Sequence, residues 1–526
     1  MLTASWPPWE FPPLLFIAFI PLLYIQNIIA NDNRLRARHL FFYGFLTFLI
    51  WNFLTTWWIW FASPSGAVMA IITNAILMTL VFLLFHKVKK TLPERIGPFV
   101  LIPIWIAFEY LHHDWDLTWP WLTLGNAFAG AYKIIQWYDV TGTFGGSFWV
   151  LIINVLVFEI LKHRNTLLRP AKFRIIYGTS LGIILIVPII ISLICYHSIN
   201  LTGNKTDAIK VVVVQPNVDP YIKFDIDFRE STEKMLALAE TKLDTSTDYL
   251  VFPETSLVES IWENSMQHTW TFNRLRTFLK NYPKLKIVSG ANTGYEYQPD
   301  EKRSPTARKF LHDDLYFEAY NTAIQLDSSP SIQVYHKSKL VPGVEKMPFP
   351  KIFGSLEKFA IDLGGISGSL GMQEERTVFK SPNGKQGVAP VICYESIYGD
   401  YVGQYIRNGA NFIFIITNDG WWGDTPGYKQ HLVYGRLRAI ESRKSVARSA
   451  NTGISCFINQ RGDIEQPQPW DKAVAIKQTI YSDEGMTFYT HHGDLIAKGM
   501  IILAISSILF SIFHFFRRKL LRKKAA

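Results

Sequence analysis

Seven apolar stretches constrain this chain more than any other feature. Six precede residue 200 and one follows residue 495, at roughly 11–30, 40–61, 67–85, 99–110, 144–161, 175–195 and 496–516. A helix needs about 20 largely apolar residues to cross the hydrocarbon core of a bilayer. Backbone inside lipid must also satisfy its own hydrogen bonds, so helices are expected at both ends of the chain. The fourth stretch is short and carries Glu109, an ionisable group that reads equally as a buried hydrogen-bonding partner. Between about residues 207 and 494 the polarity becomes ordinary. The expected organisation is six spans in 1–200, an inserted water-facing domain in 207–494, and a seventh span with a basic tail in 495–526. Charged residues make up only 18% of the chain and hydrophobic residues 49%. Those proportions exclude a disordered or collagen-like protein. The three cysteines, Cys195, Cys393 and Cys456, are too few and too scattered for a disulfide scaffold or a zinc motif.

The basic residues set the topology. Arg34, Arg36 and Arg38 follow the first stretch, and Lys87, Lys89, Lys90 and Arg95 follow the third. Lys162, Arg164, Arg169, Lys172 and Arg174 follow the fifth, and Arg517, Arg518, Lys519, Arg522, Lys523 and Lys524 follow the seventh. Only Asp32 and Glu94 oppose them, while the alternate connections hold only Lys133. Basic connections stay in the cytoplasm, so the 207–494 domain is expected outside and the C-terminus inside. Because these segments carry the positive charge, the overall +10 is a topology signal and not a nucleic-acid footprint. Residues 1–10 hold no Lys or Arg and no small-residue cleavage site follows, so the first span is expected to be retained.

The inserted domain opens with Ile209-Lys-Val-Val-Val-Val214, a run suited to a strand covered on both faces. Further strands are expected at 249–252, 286–289, 322–326, 333–336, 388–393, 412–417 and 453–458, with amphipathic helices at 227–243 and 428–444. Strands alternating with helices and hairpins indicate a layered α/β domain. Glu254, Lys337 and Cys393 each stand where one of these strands ends. Loops beyond strand ends gather reactive side chains around a crevice. A carboxylate, an ammonium and a thiol there suffice for acyl transfer: the carboxylate takes the thiol proton, the sulfur attacks a carbonyl, and the ammonium holds the oxyanion. Taken singly, each has a plainer reading, as a turn residue, a solvated lysine or a packed cysteine.

Taken together, Phe252-Pro-Glu-Thr255, His336-Lys-Ser-Lys-Leu-Val-Pro342, Ile392-Cys-Tyr-Glu395 and Thr417-Asn-Asp-Gly-Trp-Trp-Gly423 resemble the nitrilase (carbon–nitrogen hydrolase) superfamily. The flanking spans narrow the resemblance to its membrane-embedded branch, the apolipoprotein N-acyltransferases. Trp119-Pro-Trp-Leu122, Gln430-His431, Arg436-Leu-Arg-Ala-Ile-Glu441, Arg448-Ser-Ala-Asn-Thr-Gly453 and Gly493-Asp494 agree with that branch. The resemblance implies a nitrilase-like αββα sandwich inserted before the last helix of a seven-span bundle. It implies Glu254 as general base, Lys337 as oxyanion-stabilising lysine and Cys393 as nucleophile, with Glu345, Tyr394 and Glu395 in support. Phe224, Phe349, Phe353 and Trp421 are the substrate-side candidates. Phe224 stands where the family commonly has tryptophan, Pro342-Gly-Val-Glu345 replaces Pro-Phe-Gly-Glu, and the family usually has eight spans.

The implied activity is transfer of an acyl chain from a phospholipid to the N-terminal amine of diacylglyceryl-cysteine in an apolipoprotein, the last step of lipoprotein maturation. The implied location is the bacterial inner membrane, with the reaction on the periplasmic side. A monomer is expected, working on lipid and lipoprotein, with no metal, cofactor or nucleic acid. The histidine pairs His112-His113 and His491-His492 are adjacent and poorly spaced as ligands. The glycine- and phenylalanine-rich stretch 347–372 is expected to be either an apolar lid or a docked surface loop. The alternative function is a membrane-tethered amidase of the same chemistry with water as acceptor. Cys195 and Cys456 are expected to be packing residues.

Overall fold

The computed structural model describes residues 1–32, 34–163, 171–201, 208–349, 369–482 and 485–525. Two compact units emerge: Met1–Trp57 with Ala67–Ser198 and His492–Ala526, and Trp58–Gly66 with Ile199–His491.

In the first unit, six helices among the described residues are long and apolar enough to cross a membrane: Pro12–Asn31, Ala37–Thr56, Pro64–Lys89, Tyr138–Lys162, Ile175–Ser198 and Leu495–Arg518. The fourth apolar stretch forms the shorter helix Leu101–Leu111, which follows a 3-10 turn at Gly97–Val100. Its residues Leu101, Trp105 and Ile106 are fully buried, as expected of a helix apolar on all sides. Glu109 accepts from the Trp105 indole at 3.0 Å and from the Leu124 amide at 2.9 Å. Of the two sequence readings, that geometry favours the structural one. The first span is broken at Phe19, ahead of Pro21. Asn154 repairs the break, accepting from the Phe19 amide at 2.9 Å and donating to the Leu15 carbonyl at 2.7 Å. In lipid such orphaned groups have no water to turn to.

The second unit is a two-sheet sandwich. Its strands, in chain order, are β1 Ala208–Gln215, β2 Tyr249–Val251, β3 Leu257–Trp262, β4 Lys286–Glu296, β5 Arg308–Lys309, β6 Tyr316–Leu326 and β7 Ile332–His336. They continue with β8 Phe379–Lys380, β9 Gly387–Ile392, β10 Phe412–Thr417, β11 Val446–Ala450, β12 Cys456–Ile458, β13 Ile464–Glu465 and β14 Val474–Tyr481. One sheet runs β14-β1-β2-β4-β6-β5, with β3 on β4 and β7 on β6; the other runs β13-β12-β11-β10-β9-β8. Both sheets are mixed: β1 runs parallel with β2 and β10 with both β9 and β11, whereas β1 and β14, β4 and β6, and β11 and β12 are antiparallel. The sheets meet face to face, where Tyr249 packs on Phe414 at 5.3 Å and Ser449 donates to the Val214 carbonyl at 2.7 Å.

Helices Phe228–Glu240 and Trp270–Leu279 cover the first sheet through Met235, Leu236, Phe272 and Leu275, which pack with Val212, Leu250 and Ile287. Each such buried side chain contributes about 1.5–3 kcal/mol. The first helix starts where Asp227 accepts from the Arg229 amide at 2.7 Å, an N-cap worth roughly 1 kcal/mol. Helices Gly399–Arg407 and Pro426–Ser442 cover the other sheet, completing four α/β/β/α layers. Strands β3, β11 and β14 depart from the sequence expectation. In β11 the pattern is interrupted by Arg448, which is fully buried yet ion-paired. The strand expected at 453–458 is confined to Cys456–Ile458.

Candidate active site

Glu254, Lys337 and Cys393 lie just beyond β2, β7 and β9 respectively. Glu254 is placed by a close approach of chains: a Cβ added to Gly290 of β4 would lie 2.6 Å from the Glu254 Cα. Only glycine fits there. The following residue, Thr255, has φ 48, and Cys393 itself has φ 49. Such left-handed conformations cost a non-glycine residue about 1–3 kcal/mol and must be held by their surroundings.

Lys337 is the hub of the site. Its side chain is 1% exposed, and Nζ donates to Glu254 Oε1 at 3.1 Å and to Glu345 Oε1 at 2.8 Å. Asn321, on neighbouring β6, donates to the same two oxygens at 2.8 and 3.0 Å. Glu254 Oε2 accepts from the Asn418 amide at 3.1 Å, and Glu345 Oε2 from the Val341 amide at 2.9 Å. Burial opposes the charge of Lys337, but Glu254, Glu345 and Cys393 outweigh it and hold the ammonium well above the ordinary lysine range. Cys393 is buried and free. Burial pushes its thiol up and the Glu254 charge pushes it further, while Lys337 and a hydrogen bond with Thr417 pull it back. Together these influences raise the thiol above its ordinary value and favour the protonated form.

Glu395 locks this geometry from beneath. Its Oε1 accepts from Tyr335 Oη at 2.7 Å, from Tyr401 Oη at 2.5 Å and from the amide of Ser338, beside Lys337, at 2.8 Å; its Oε2 accepts from the Ile392 amide at 2.9 Å. One carboxylate thus ties the lysine-bearing strand end to the cysteine-bearing one. Burial pushes it up against the pull of these donors. Glu395→Gln, which turns an amide donor toward at least one of these donors, is expected to lower stability by about 2–3 kcal/mol in chemical or thermal denaturation. Tyr394 is buried against Tyr398, ring to ring at 5.4 Å.

The substrate-side candidates are less concentrated. Phe224 is half-buried beside Lys223, and Trp421 meets Tyr221 edge-on at 5.3 Å in the loop after Asn418. Phe349 is half-buried with φ 47. Phe353 and most of the expected 347–372 lid lie outside the described residues.

Asn321 and Lys223 were not singled out from the sequence, and His431, Arg438, Asp419 and Arg448 were quoted only within motifs, without a role. Asn321 is found only through the β6–β7 register, which sets Thr322 opposite His336. Lys223 is fully buried and donates to the Glu254 carbonyl at 3.0 Å and to Thr255 Oγ1 at 2.9 Å; burial pulls it down to about 7 although Glu254 opposes the shift. His431 and Arg438, seven residues apart on one face of helix Pro426–Ser442, take up the carbonyls of Cys393 at 3.1 Å and Ile397 at 2.6 Å. Asp419 joins His431 at 2.9 Å and Arg448 at 2.7 Å. Burial works against its charge, but the Arg448 guanidinium and the contact with His431 more than offset it and hold the carboxyl at about 2. A polar stripe at 431, 434, 438 and 441 was the available signal. Among the described residues, no group of three or more His, Cys, Asp or Glu side chains is arranged to hold a metal.

Beyond the strand ends of an α/β/β/α sandwich, the Lys337 ammonium thus joins the Glu254 and Glu345 carboxylates. Residues 210–482 match the carbon–nitrogen hydrolase family model, and residues 1–156 match that of the apolipoprotein N-acyltransferase N-terminal domain. The chain belongs to the carbon–nitrogen hydrolase family, in its apolipoprotein N-acyltransferase branch. It is 28% identical over 520 residues to an apolipoprotein N-acyltransferase of Chlorobaculum tepidum, covering 96% of this chain and 92% of the relative. It is 25% identical to that of Thermotoga maritima, covering 96% and 91%. It is 30% identical to that of Rickettsia typhi, covering 69% and 65%. A Saccharomyces cerevisiae member of branch 10 of the nitrilase superfamily is 17% identical, with a TM-score of 0.35 over 52% of this chain and 90% of its own.

Proposed function

We propose that this chain transfers an acyl chain from a membrane phospholipid, through a thioester on Cys393, to the N-terminal amine of diacylglyceryl-cysteine in apolipoproteins, completing lipoprotein maturation. Glu254 takes the Sγ proton as the sulfur attacks the ester carbonyl, and the Lys337 ammonium faces the oxyanion that forms. The ester C–O bond then breaks, and the proton on Glu254 passes to the departing lysophospholipid oxygen. In the second half-reaction the acceptor amine attacks the thioester carbonyl and gives its proton to Glu254. The C–S bond breaks, and the sulfur regains that proton. The observation that carries this reading is the Lys337 ammonium, held between Glu254 and Glu345 at 3.1 and 2.8 Å.

The membrane-spanning helices fit this chemistry. Both substrates carry acyl chains, and drawing a chain into water costs about 0.8 kcal/mol per CH₂. A reaction at the periplasmic surface of the inner membrane avoids that cost, with residues 207–494 as the catalytic domain and the C-terminus in the cytoplasm. The basic connections support this orientation. Glu345, Tyr394 and Glu395 support the three reacting side chains, and a monomer is sufficient for them.

Intact mass after incubation with phospholipid tests the reading. A fatty-acyl adduct that maps to Cys393 and is removed by hydroxylamine is expected. Glu254→Gln should slow its formation by about 10²- to 10⁴-fold. Release of ammonia from small amides, without N-acylation of a diacylated lipopeptide, would install the water-using amidase in its place.

A further inference from the structure

The turn that carries Cys393 depends on a side chain from a segment far away in the sequence. With a proton on Nε2, His431 donates to the Cys393 carbonyl at 3.1 Å, and Ser396 Oγ lies 2.9 Å from the same nitrogen. The opposite side of the ring is fixed by Asp419 at 2.9 Å and Arg448 at 3.1 Å. The imidazole also meets the Trp422 indole edge-on at 5.5 Å, and Trp422 packs on Trp58 at 4.8 Å. Trp58 is 1% exposed, and its Nε1 donates to Gln430, the neighbour of His431, at 3.3 Å. Helix Pro426–Ser442 is hollowed to receive the indole: a Cβ added to Gly427 would lie 2.6 Å from the Trp58 ring.

Trp58 belongs to the short segment Trp58–Gly66, which forms part of the catalytic unit although in sequence it joins two helices able to cross a membrane, Ala37–Thr56 and Pro64–Lys89. That segment makes a second attachment beside the site, where Tyr221 Oη donates to the Phe61 carbonyl at 3.0 Å.

We propose that Trp58 is a positioning residue for acyl transfer. It seats Trp422 and Gln430, they hold His431 against the Cys393 carbonyl, and the strained turn keeps the sulfur aimed. The inference rests on Cys393 being the nucleophile. It makes catalysis depend on the segment that joins two helices able to cross a membrane.

The test uses the full chain in phosphatidylethanolamine–phosphatidylglycerol vesicles with a diacylated lipopeptide. Trp58→Ala is expected to lower kcat and the single-turnover rate of Cys393 acylation by at least tenfold, with the lipopeptide KM changed less than twofold. Trp58→Phe, which keeps an aromatic ring against Trp422, should recover most of the loss. Gly427→Ala, whose Cβ displaces the indole from outside, should reproduce the Trp58→Ala loss and keeps the test valid if Trp58→Ala does not fold. Wild-type kcat in whichever of these two variants folds, even with a lowered melting temperature, would overturn the positioning role. So would a loss that appears only in KM. Cys393→Ala separates the two levels: if it still forms the adduct, the reading of the site itself fails. If it is inactive while Trp58→Ala and Gly427→Ala are fully active, only the role of Trp58 falls.

Discussion

Cys393→Ala is expected to abolish the acyl adduct and to lower lipopeptide N-acylation by at least about 10⁴-fold, the scale on which removal of a covalent nucleophile acts. No other described cysteine can take over. Cys456 is fully buried in β12, and Cys195 lies in helix Ala171–Ser198 of the other unit. Folding should survive, because the change removes one sulfur from a site whose turn is held through backbone carbonyls by His431 and Arg438. A melting temperature within a few degrees of wild type, together with no adduct and no product, is the expected pair of results. Cys393→Ser should be nearly as inactive. Its hydroxyl is a far weaker acid than a thiol, and the same burial and the same Glu254 charge oppose ionisation there. Substantial product from either variant would remove the thioester from the mechanism.

Lys337→Met carries the second large effect, and it acts on activity and stability together. In the proposed mechanism, loss of the ammonium removes the oxyanion partner, a change expected to cost about 10²- to 10³-fold in kcat. It also leaves Glu254 and Glu345, now bridged only by Asn321, as two buried carboxylates without their shared cation. Breaking a buried ion pair by removing one partner costs about 3–5 kcal/mol. The pH dependence follows from the direction of the lysine shift. Its folded value lies above the ordinary 10.5, so its stabilisation is complete below that value and is lost only as pH rises through the folded value. The stability gap between wild type and Lys337→Met should therefore stay level through the neutral range and narrow only in strong alkali. Denaturation of both proteins across pH measures this directly. A gap that closes on moving from about pH 6 to about pH 9 would contradict the ion-paired site.

Much of the second unit was legible in advance because its central strands are apolar on both faces and end in polar residues. Ile209–Val214, Val388–Ile392 and Phe412–Thr417 announced themselves in this way. Strand β11 did not, since Arg448 breaks its apolar run and is tolerated through Asp419, His431 and the Ile454 carbonyl. Asn321 was equally silent: a lone amide inside a long strand has no local signature. Its meaning comes from the strand register that sets it beside Lys337, whose amide donates to the Asn321 carbonyl at 2.8 Å. Nothing local to the segment at 58–61 indicated that Trp58 would belong to the same unit as Cys393.

By itself, the sequence determined the apolar helices, the inserted α/β domain, the family and the three strand ends where reactive side chains stand. Hydropathy and strand periodicity are local properties of the chain, and each motif is a short contiguous run. Only the tertiary structure decided that Lys337 is shared between two carboxylates, that Cys393 sits in a left-handed turn whose carbonyl meets His431, and that Trp58 packs on Trp422 and Gln430. Those features depend on distances between residues tens to hundreds of positions apart. Such distances are set by sheet register and side-chain packing, which no local pattern records.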